Sequence, residues 1–358
     1  NYVKGMSNRL KSAPIICRRS DRGCVRLIHH ASLYYEQAIV NEILSGAPGG
    51  TVCVLTATND DALVISALLN KSGRRARLIR SNDGFYLRDL AELRFFLDTI
   101  RGYDAACLDN DTWTKSAEVV VEHFRGSECL EMFGNCLEAF NEECPGRKYI
   151  SDFENFLLES RLEDFSKSRS SEIIVSTIHK AKGCEYDNVY ISLKGLGDIT
   201  DRERRMIYVG MTRAKNNLSV HYSNVNLFLD KSLQGLIIED NTVYGAPVEV
   251  LMQLSHRDVV LDIFKGCQDS LPGLLSGTGL FVSGDYLYAE TGGRRVKVLR
   301  FSSAFRTQLS RMVSKGYLPV KAKVRFQVFW SYEEPTGETG SPTRSEIMIV
   351  LPDLLLAL

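Results

Sequence analysis

The run Thr51-Val52-Cys53-Val54-Leu55-Thr56 is almost continuously apolar and follows a turn of small residues, Gly46-Ala47-Pro48-Gly49-Gly50. A strand with one wet face alternates. One that does not alternate is buried on both faces, as in a parallel sheet covered by helices. Next, Ala62, Ile65, Leu68 and Leu69 lie on one helical stripe that Gly73 ends, and residues 77–79 return as a strand. Strand, helix and strand joined by short connections form the βαβ unit of an α/β fold. An earlier strand is expected at 25–29 and a helix over 33–44.

The pattern changes between 84 and 170. Leu90, Leu93, Phe96, Leu97 and Ile100 repeat at helical spacing, further helical stripes follow, and no convincing strand intervenes. The sheet resumes at 173–176 and 188–193, followed by a helix over 201–215 and a strand over 218–222. Thr200 and Glu203 stand at capping-box spacing at that helix's start, and Met206, Val209, Gly210 and Arg213 share one of its faces. Beyond about 245, strands are expected over 286–290, 296–300, 324–330 and 346–351, a helix over 304–314 and an exposed hairpin loop over 335–342. The expected organisation is three domains: 1–83 with 171–245, a helical insertion over 84–170, and a β-rich domain, with a barrel as one form of it, over 246–358.

Charge is unevenly placed. The chain of 358 residues has a formal net charge of zero, yet 294–325 holds ten Lys or Arg and no acid, and 84–170 holds 18 acidic against 10 basic residues. Phe301, Phe305, Tyr317 and Phe326 accompany the basic run. Cations beside aromatics are what a nucleic-acid groove needs, which makes Arg294, Arg295 and Lys297 candidate DNA contacts. The alternatives are a solvated face with Phe301, Phe305 and Phe326 in the core, or a surface for a protein partner. No apolar run reaches membrane-spanning length, so no membrane partner is expected. The nine cysteines form no C-x-x-C and no zinc spacing, so the thiols are read as reduced, the compartment as cytoplasmic and no metal site is assigned. The absent initiator Met suggests a piece of a longer protein.

Two motifs carry chemistry. Thr177-Ile178-His179-Lys180-Ala181-Lys182-Gly183-Cys184-Glu185-Tyr186 follows a buried strand, and Arg204-Arg205-Met206-Ile207-Tyr208-Val209-Gly210-Met211-Thr212-Arg213-Ala214-Lys215 comes about two dozen residues later. A hydroxyl, an imidazole and backbone N–H groups at a strand's C-terminal edge can hold phosphates. Together the motifs resemble those of the UvrD/Rep/PcrA family, the superfamily 1 DNA helicases. The resemblance covers roughly 1–83 and 171–228 and implies a RecA-like second motor domain. It implies single-stranded DNA contacts at Thr177, His179 and Lys180, and an ATP-binding position at Glu185. It makes Arg213 the catalytic arginine finger that reaches the γ-phosphate of ATP.

Departures from the family pattern matter. No G-x-x-x-x-G-K-[ST] phosphate loop occurs. ATP and magnesium are therefore expected between this part and a first RecA-like domain of the same polypeptide, and this part alone is expected to be inactive. Ala57, in Val54-Leu55-Thr56-Ala57-Thr58-Asn59, stands where relatives commonly carry arginine. That substitution leaves a second reading: a non-catalytic nucleic-acid-binding or adaptor module with a decayed motor fold.

Overall fold

The structure, a computed structural model, describes residues 23–79, 84–103, 105–160, 162–165, 173–181, 183–196, 200–224, 237–334 and 343–358. The hairpin loop expected at 335–342 lies outside these residues. Elements are numbered along the chain. Two compact units emerge: 1–81 with 169–248, and 82–168 with 249–358.

The first unit is an α/β sheet of seven strands: β1 (Cys24–His30), β2 (Val52–Thr56), β3 (Ala76–Leu78), β6 (Ile173–Thr177), β7 (Tyr186–Ser192), β8 (Ala214–Tyr222) and β9 (Ile237–Asp240). Their order is β3-β6-β2-β7-β8-β1-β9, and every pairing is parallel. Strand β2 lies between β6 and β7, with Thr56 in register with both Thr177 and Ser192. The unbroken apolar run of β2 is explained by the two cores it serves. Val52 and Val54 face α1 (Glu36–Gly46) and α2 (Asn59–Lys71), with Ile39, Ile43, Ile65 and Leu69. Cys53 and Leu55 face the opposite core, with Ile178, Ile191 and Ile207 of α7 (Asp201–Met211).

Helix α7 starts as the sequence implies: Thr200 accepts from the Glu203 amide, and the Thr200 amide donates to Glu203 Oε2 at 2.7 Å. It ends earlier than the expected 215. Thr212 caps it, and Ala214 already pairs with Tyr186 of β7, because ladder bonds to β7 replace further helical turns. Arg213 therefore sits in the tight turn between helix and strand, not on a helix face.

The second unit contains α3 (Ala91–Arg101), α4 (Asn110–His123), α5 (Leu130–Glu143) and α6 (Ile150–Glu159), plus a two-residue strand pair, β4 (Cys107–Leu108) and β5 (Lys148–Tyr149). Phe96 and Trp113 meet edge-to-face at 4.8 Å, and Phe153 meets both of them edge-on. The same unit holds β10 (Glu249–Gln253), α8 (Asp262–Lys265), β11 (Gly279–Ser283), β12 (Tyr286–Thr291), β13 (Arg294–Arg300), α9 (Ser303–Val313), β14 (Leu318–Glu334) and β15 (Thr343–Ala357). The six strands form one antiparallel sheet in the order β10-β15-β14-β11-β12-β13, with β10 and β13 as its two ends.

The helical stretch is not a body apart from this sheet, as the three-domain expectation had it. Leu90 forms a backbone bridge to Val328 of β14, and Arg94 Nη2 meets Glu346 Oε2 at 3.2 Å. Lys323 Nζ lies 2.6 Å from Glu128 Oε2. Contacts separated by some 200 residues fuse the two segments, and hydrophobic periodicity reports nothing about such pairings.

Candidate functional site

Strand β6 delivers Thr177 to the C-terminal edge of the sheet. The Thr177 carbonyl accepts from the Lys180 amide at 3.0 Å and the Ala181 amide at 3.3 Å, so the chain turns tightly there. Ile178 and Ala181 plug into the core. The exposed member is His179, while Thr177 is itself buried and Lys180 is half-buried, with Nζ 3.1 Å from Asn59 Oδ1 at the start of α2. Gly183 has φ +93°, in the left-handed region, and a Cβ there would meet nothing within 4 Å. Its glycine is required by conformation rather than by space. Lys182 lies outside the described residues.

Strand β7 begins at the opposite edge of the sheet, since it runs parallel to β6 on the other side of β2. There the two sequence motifs meet. Arg213 Nη1 donates to the Cys184 carbonyl at 3.1 Å, and the Tyr186 amide donates to the Arg213 carbonyl at 2.9 Å. The rest of the guanidinium is held by the Val209 carbonyl at 3.0 Å and Thr212 Oγ1 at 3.1 Å. All three acceptors are neutral oxygens, and no carboxylate among the described residues forms an ion pair with Arg213. Its charge is thus oriented but not compensated. Glu185 is exposed beside it. Gly210 lets α7 close onto the sheet, since a Cβ would lie 3.2 Å from Ile191 Cδ1 and 3.4 Å from Ile178.

The predicted residues therefore fall into two groups. Thr177, His179 and Lys180 sit at the C-terminal edge of the strands, and Glu185 and Arg213 at the N-terminal edge. The seven residues of β7 separate the edges by about 20 Å at the usual rise per residue. Ala57 follows β2 on the first edge, and Thr58 caps α2 by accepting from the Asp61 amide at 3.1 Å.

Arg294, Arg295 and Lys297 are exposed on β13 in the other unit. Phe301 and Phe305 are buried there, while Phe326 is half-buried against Phe85. Sequence reading passed over a third group. His30 Nε2 and His221 Nδ1 lie 2.9 Å apart inside the first unit, with Asp240 and Glu42 at the two ends of the pair. Nothing in either local sequence marks them, since 191 residues separate them. Among the described residues, no group of three or more His, Cys, Asp or Glu is arranged to hold a metal ion, and no helix is long and apolar enough to cross a membrane.

A parallel sheet with helices on both faces thus carries an arginine without an acidic partner among the described residues at one edge and a tight turn with an exposed histidine at the other. Known proteins narrow this. Residues 111–225 match the family model of the UvrD-like helicase C-terminal domain, which bears out the resemblance read from 177–186 and 204–215 and includes both. The match also takes in most of the helical stretch, which the sequence resemblance had left out. The chain is 26% identical over 113 residues to the ATP-dependent DNA helicase Rep of Buchnera aphidicola subsp. Schizaphis graminum, a stretch that is 29% of this chain and 16% of that protein. The C-terminal domain of a possible DNA helicase from Lactobacillus plantarum WCFS1 aligns with 62% of this chain and 87% of its own, at 10% identity and a TM-score of 0.31, too loose a likeness to carry more.

Proposed function

We propose that this chain is the C-terminal portion of an ATP-dependent DNA helicase or translocase of the UvrD type. The observation that carries the reading is Arg213, fixed by three neutral acceptors beside Glu185 with its charge left for an anion. In the assembled motor, ATP and magnesium sit on a first RecA-like domain of the same polypeptide. Closure brings Arg213 to the γ-phosphate, where a planar, permanently charged fork stabilises the charge that develops in phosphoryl transfer. At the other sheet edge, His179 and Lys180 face single-stranded DNA, and Thr177 fixes the turn that presents them. With the edges on opposite ends of the same strands, nucleotide and DNA occupy separate sites on one rigid sheet.

The test is made in the full-length protein. Arg213→Ala should lower kcat about 10³-fold or more and leave single-strand affinity nearly intact. His179→Ala should weaken single-strand binding and DNA-stimulated turnover with less effect on basal hydrolysis. Unchanged ATPase in Arg213→Ala would make Arg213 a turn-forming residue only. The adaptor reading draws on Ala57, which puts no cation at its edge position, and it predicts DNA binding without turnover in the full-length protein.

A further inference from the structure

The exposed face of the antiparallel sheet in the second unit carries a connected set of rings and cations. Phe281 of β11 stands opposite Tyr288 of β12, and Tyr288 opposite Lys297 of β13, so the three share one face across three strands. Their neighbours Leu280, Leu287 and Ala289 are buried on the other face. The Arg295 guanidinium lies 4.4 Å from the centroid of Phe281, and Lys297 Nζ lies 4.0 Å from that of Tyr286. The face continues through Gly279, opposite Lys323, to Lys321, opposite Leu355. A groove of about 670 Å³ runs there, lined by Leu251, Leu355 and Phe281 with Arg295 and Lys321 beside them. A Cβ on Gly279 would meet nothing within 4 Å, so the glycine leaves this groove open.

Arg295, Lys297 and Lys321 are exposed, and none forms an ion pair with a carboxylate among the described residues. The nearby acids are Asp353, 3.4 Å from Arg325, Glu128, which holds Lys323, and Glu290, across from Arg295.

We propose that this face binds single-stranded nucleic acid. Bases seat on Phe281, Tyr286 and Tyr288 and enter the groove, and phosphates meet Arg295, Lys297 and Lys321. Arg295 and Lys297 are themselves exposed, so each can yield its place on the exposed Phe281 or the half-buried Tyr286 to a base without stranding a buried charge. Flat rings, two of them with a cation over the face that can swing to a phosphate, match a nucleotide, which offers a π-face and a phosphate together. A duplex hides its base faces in its own stack, so the site takes unpaired strands. An acidic peptide would satisfy the cations but leave the rings unused. The proposal rests on the functional reading above only for the class of ligand, since the site lies in the other unit.

The experiment titrates the 358-residue chain against fluorescein-labelled oligothymidylate, by anisotropy, across a range of salt concentrations. Phe281→Leu with Tyr288→Leu keeps apolar bulk and removes flat faces, and should weaken binding about tenfold or more at fixed salt. Arg295→Gln, Lys297→Gln and Lys321→Gln together should flatten the plot of log affinity against log salt by about 2, three phosphates' worth for a single strand. His179→Ala is titrated beside them. If His179→Ala alone loses binding, this site is refuted and the motor reading stands. If only the sheet variants lose it, this site is supported, and the motor reading is left to the ATPase of the full-length protein. Preferential binding of an acidic, aromatic peptide at the same face overturns the proposal. Tryptophan fluorescence reports the fold of this unit, since Trp113 and Trp330 both lie in it. Should the Leu pair unfold it, Phe281→Trp must retain affinity and Phe281→Ser must lose it, or the proposal fails.

Discussion

His30 and His221 face each other inside the first unit, Nε2 to Nδ1 at 2.9 Å, with their rings nearly parallel at 11°. Asp240 accepts from His30 Nδ1 at 2.9 Å, and Glu42 Oε2 lies 3.0 Å from His221 Nε2. The pattern assigns His30 as the tautomer protonated at Nδ1, with Nε2 accepting from His221. Tyr35 stacks on His30 at 4.5 Å, Tyr244 meets it edge-on, and Arg26 pairs with Glu42 at 2.6 Å. A second proton on His30 would set two N–H groups face to face.

Acid should therefore loosen the first unit. Burial first, and the neighbouring His221 second, push His30 down to about 4. Its folded value lies below the ordinary 6.5, so the unfolded chain binds the proton first and stability falls as pH drops from about 6.5 towards 4. The loss amounts to about 3 kcal/mol. Burial opposes the shifts of both carboxylates. It is outweighed at Glu42 by His221, Ser219 and Arg26, and at Asp240, held down to about 2, by Thr242, Tyr244 and His30. Their contribution is also lost towards acid, below the His30 window. Urea unfolding followed by far-UV circular dichroism from pH 4 to 8 should show this slope, and His30→Gln should flatten its upper part. A wild-type stability independent of pH over that span would show that the fold does not hold His30 neutral.

Glu92 should behave in the opposite sense. It is almost fully buried, its Oε1 accepts from Ser127 Oγ at 2.6 Å, and burial raises its pKa despite that bond. The folded state holds the proton longer than the unfolded one, so this stability is complete below the ordinary 4.5 and is lost as pH rises through the folded value. Glu92→Gln keeps the shape without the charge. Trp fluorescence melts should find it more stable than wild type at pH 8 and equal to it near pH 4.

Two glycines in the motifs should fail for different reasons. Gly183→Ala forces φ +93° on a side chain and should cost about 1 kcal/mol, with the turn after Thr177 the first region to lose amide protection. Gly210→Val drives a branched side chain against Ile191 and Ile178 and should cost about 1–3 kcal/mol across the whole first unit. Hydrogen exchange by mass spectrometry separates the local effect from the global one.

Arg213→Ala should leave the thermal midpoint of this chain within a few degrees of wild type. It gives up three hydrogen bonds to neutral, solvent-near oxygens and exposes no buried charge. A large drop in the midpoint would show that the arginine holds the turn between α7 and β8, and its effect on turnover would then need that correction.

The doubly buried strand β2 was legible because Val52, Cys53, Val54 and Leu55 leave no polar position for a wet face. The start of α7 was legible because Thr200 and Glu203 form their bonds within three residues. Its end was not, because Ala214 to Asn217 are small or polar and become a strand only by pairing with β7 and β1. The grouping of Glu185 with Arg213, apart from His179, depends on which way the chain runs across the sheet. The aromatic face on β11 to β13 needed the cross-strand register, including its shift between Leu287 and Tyr288, before three rings became neighbours.

The joining of Leu90 to Val328 has a practical consequence for anyone who would dissect this chain. Each unit is assembled from two stretches, and each is interrupted by part of the other. No single cut releases either one whole. A fragment begun near residue 246 would carry β14 stripped of Leu90 and Arg94, with apolar surface bared to water. Insoluble product from such a fragment would speak of a severed core, not of a sheet unable to bind its ligand. A fusion that splices 82–168 to 249–358 through a short linker keeps both halves of that core.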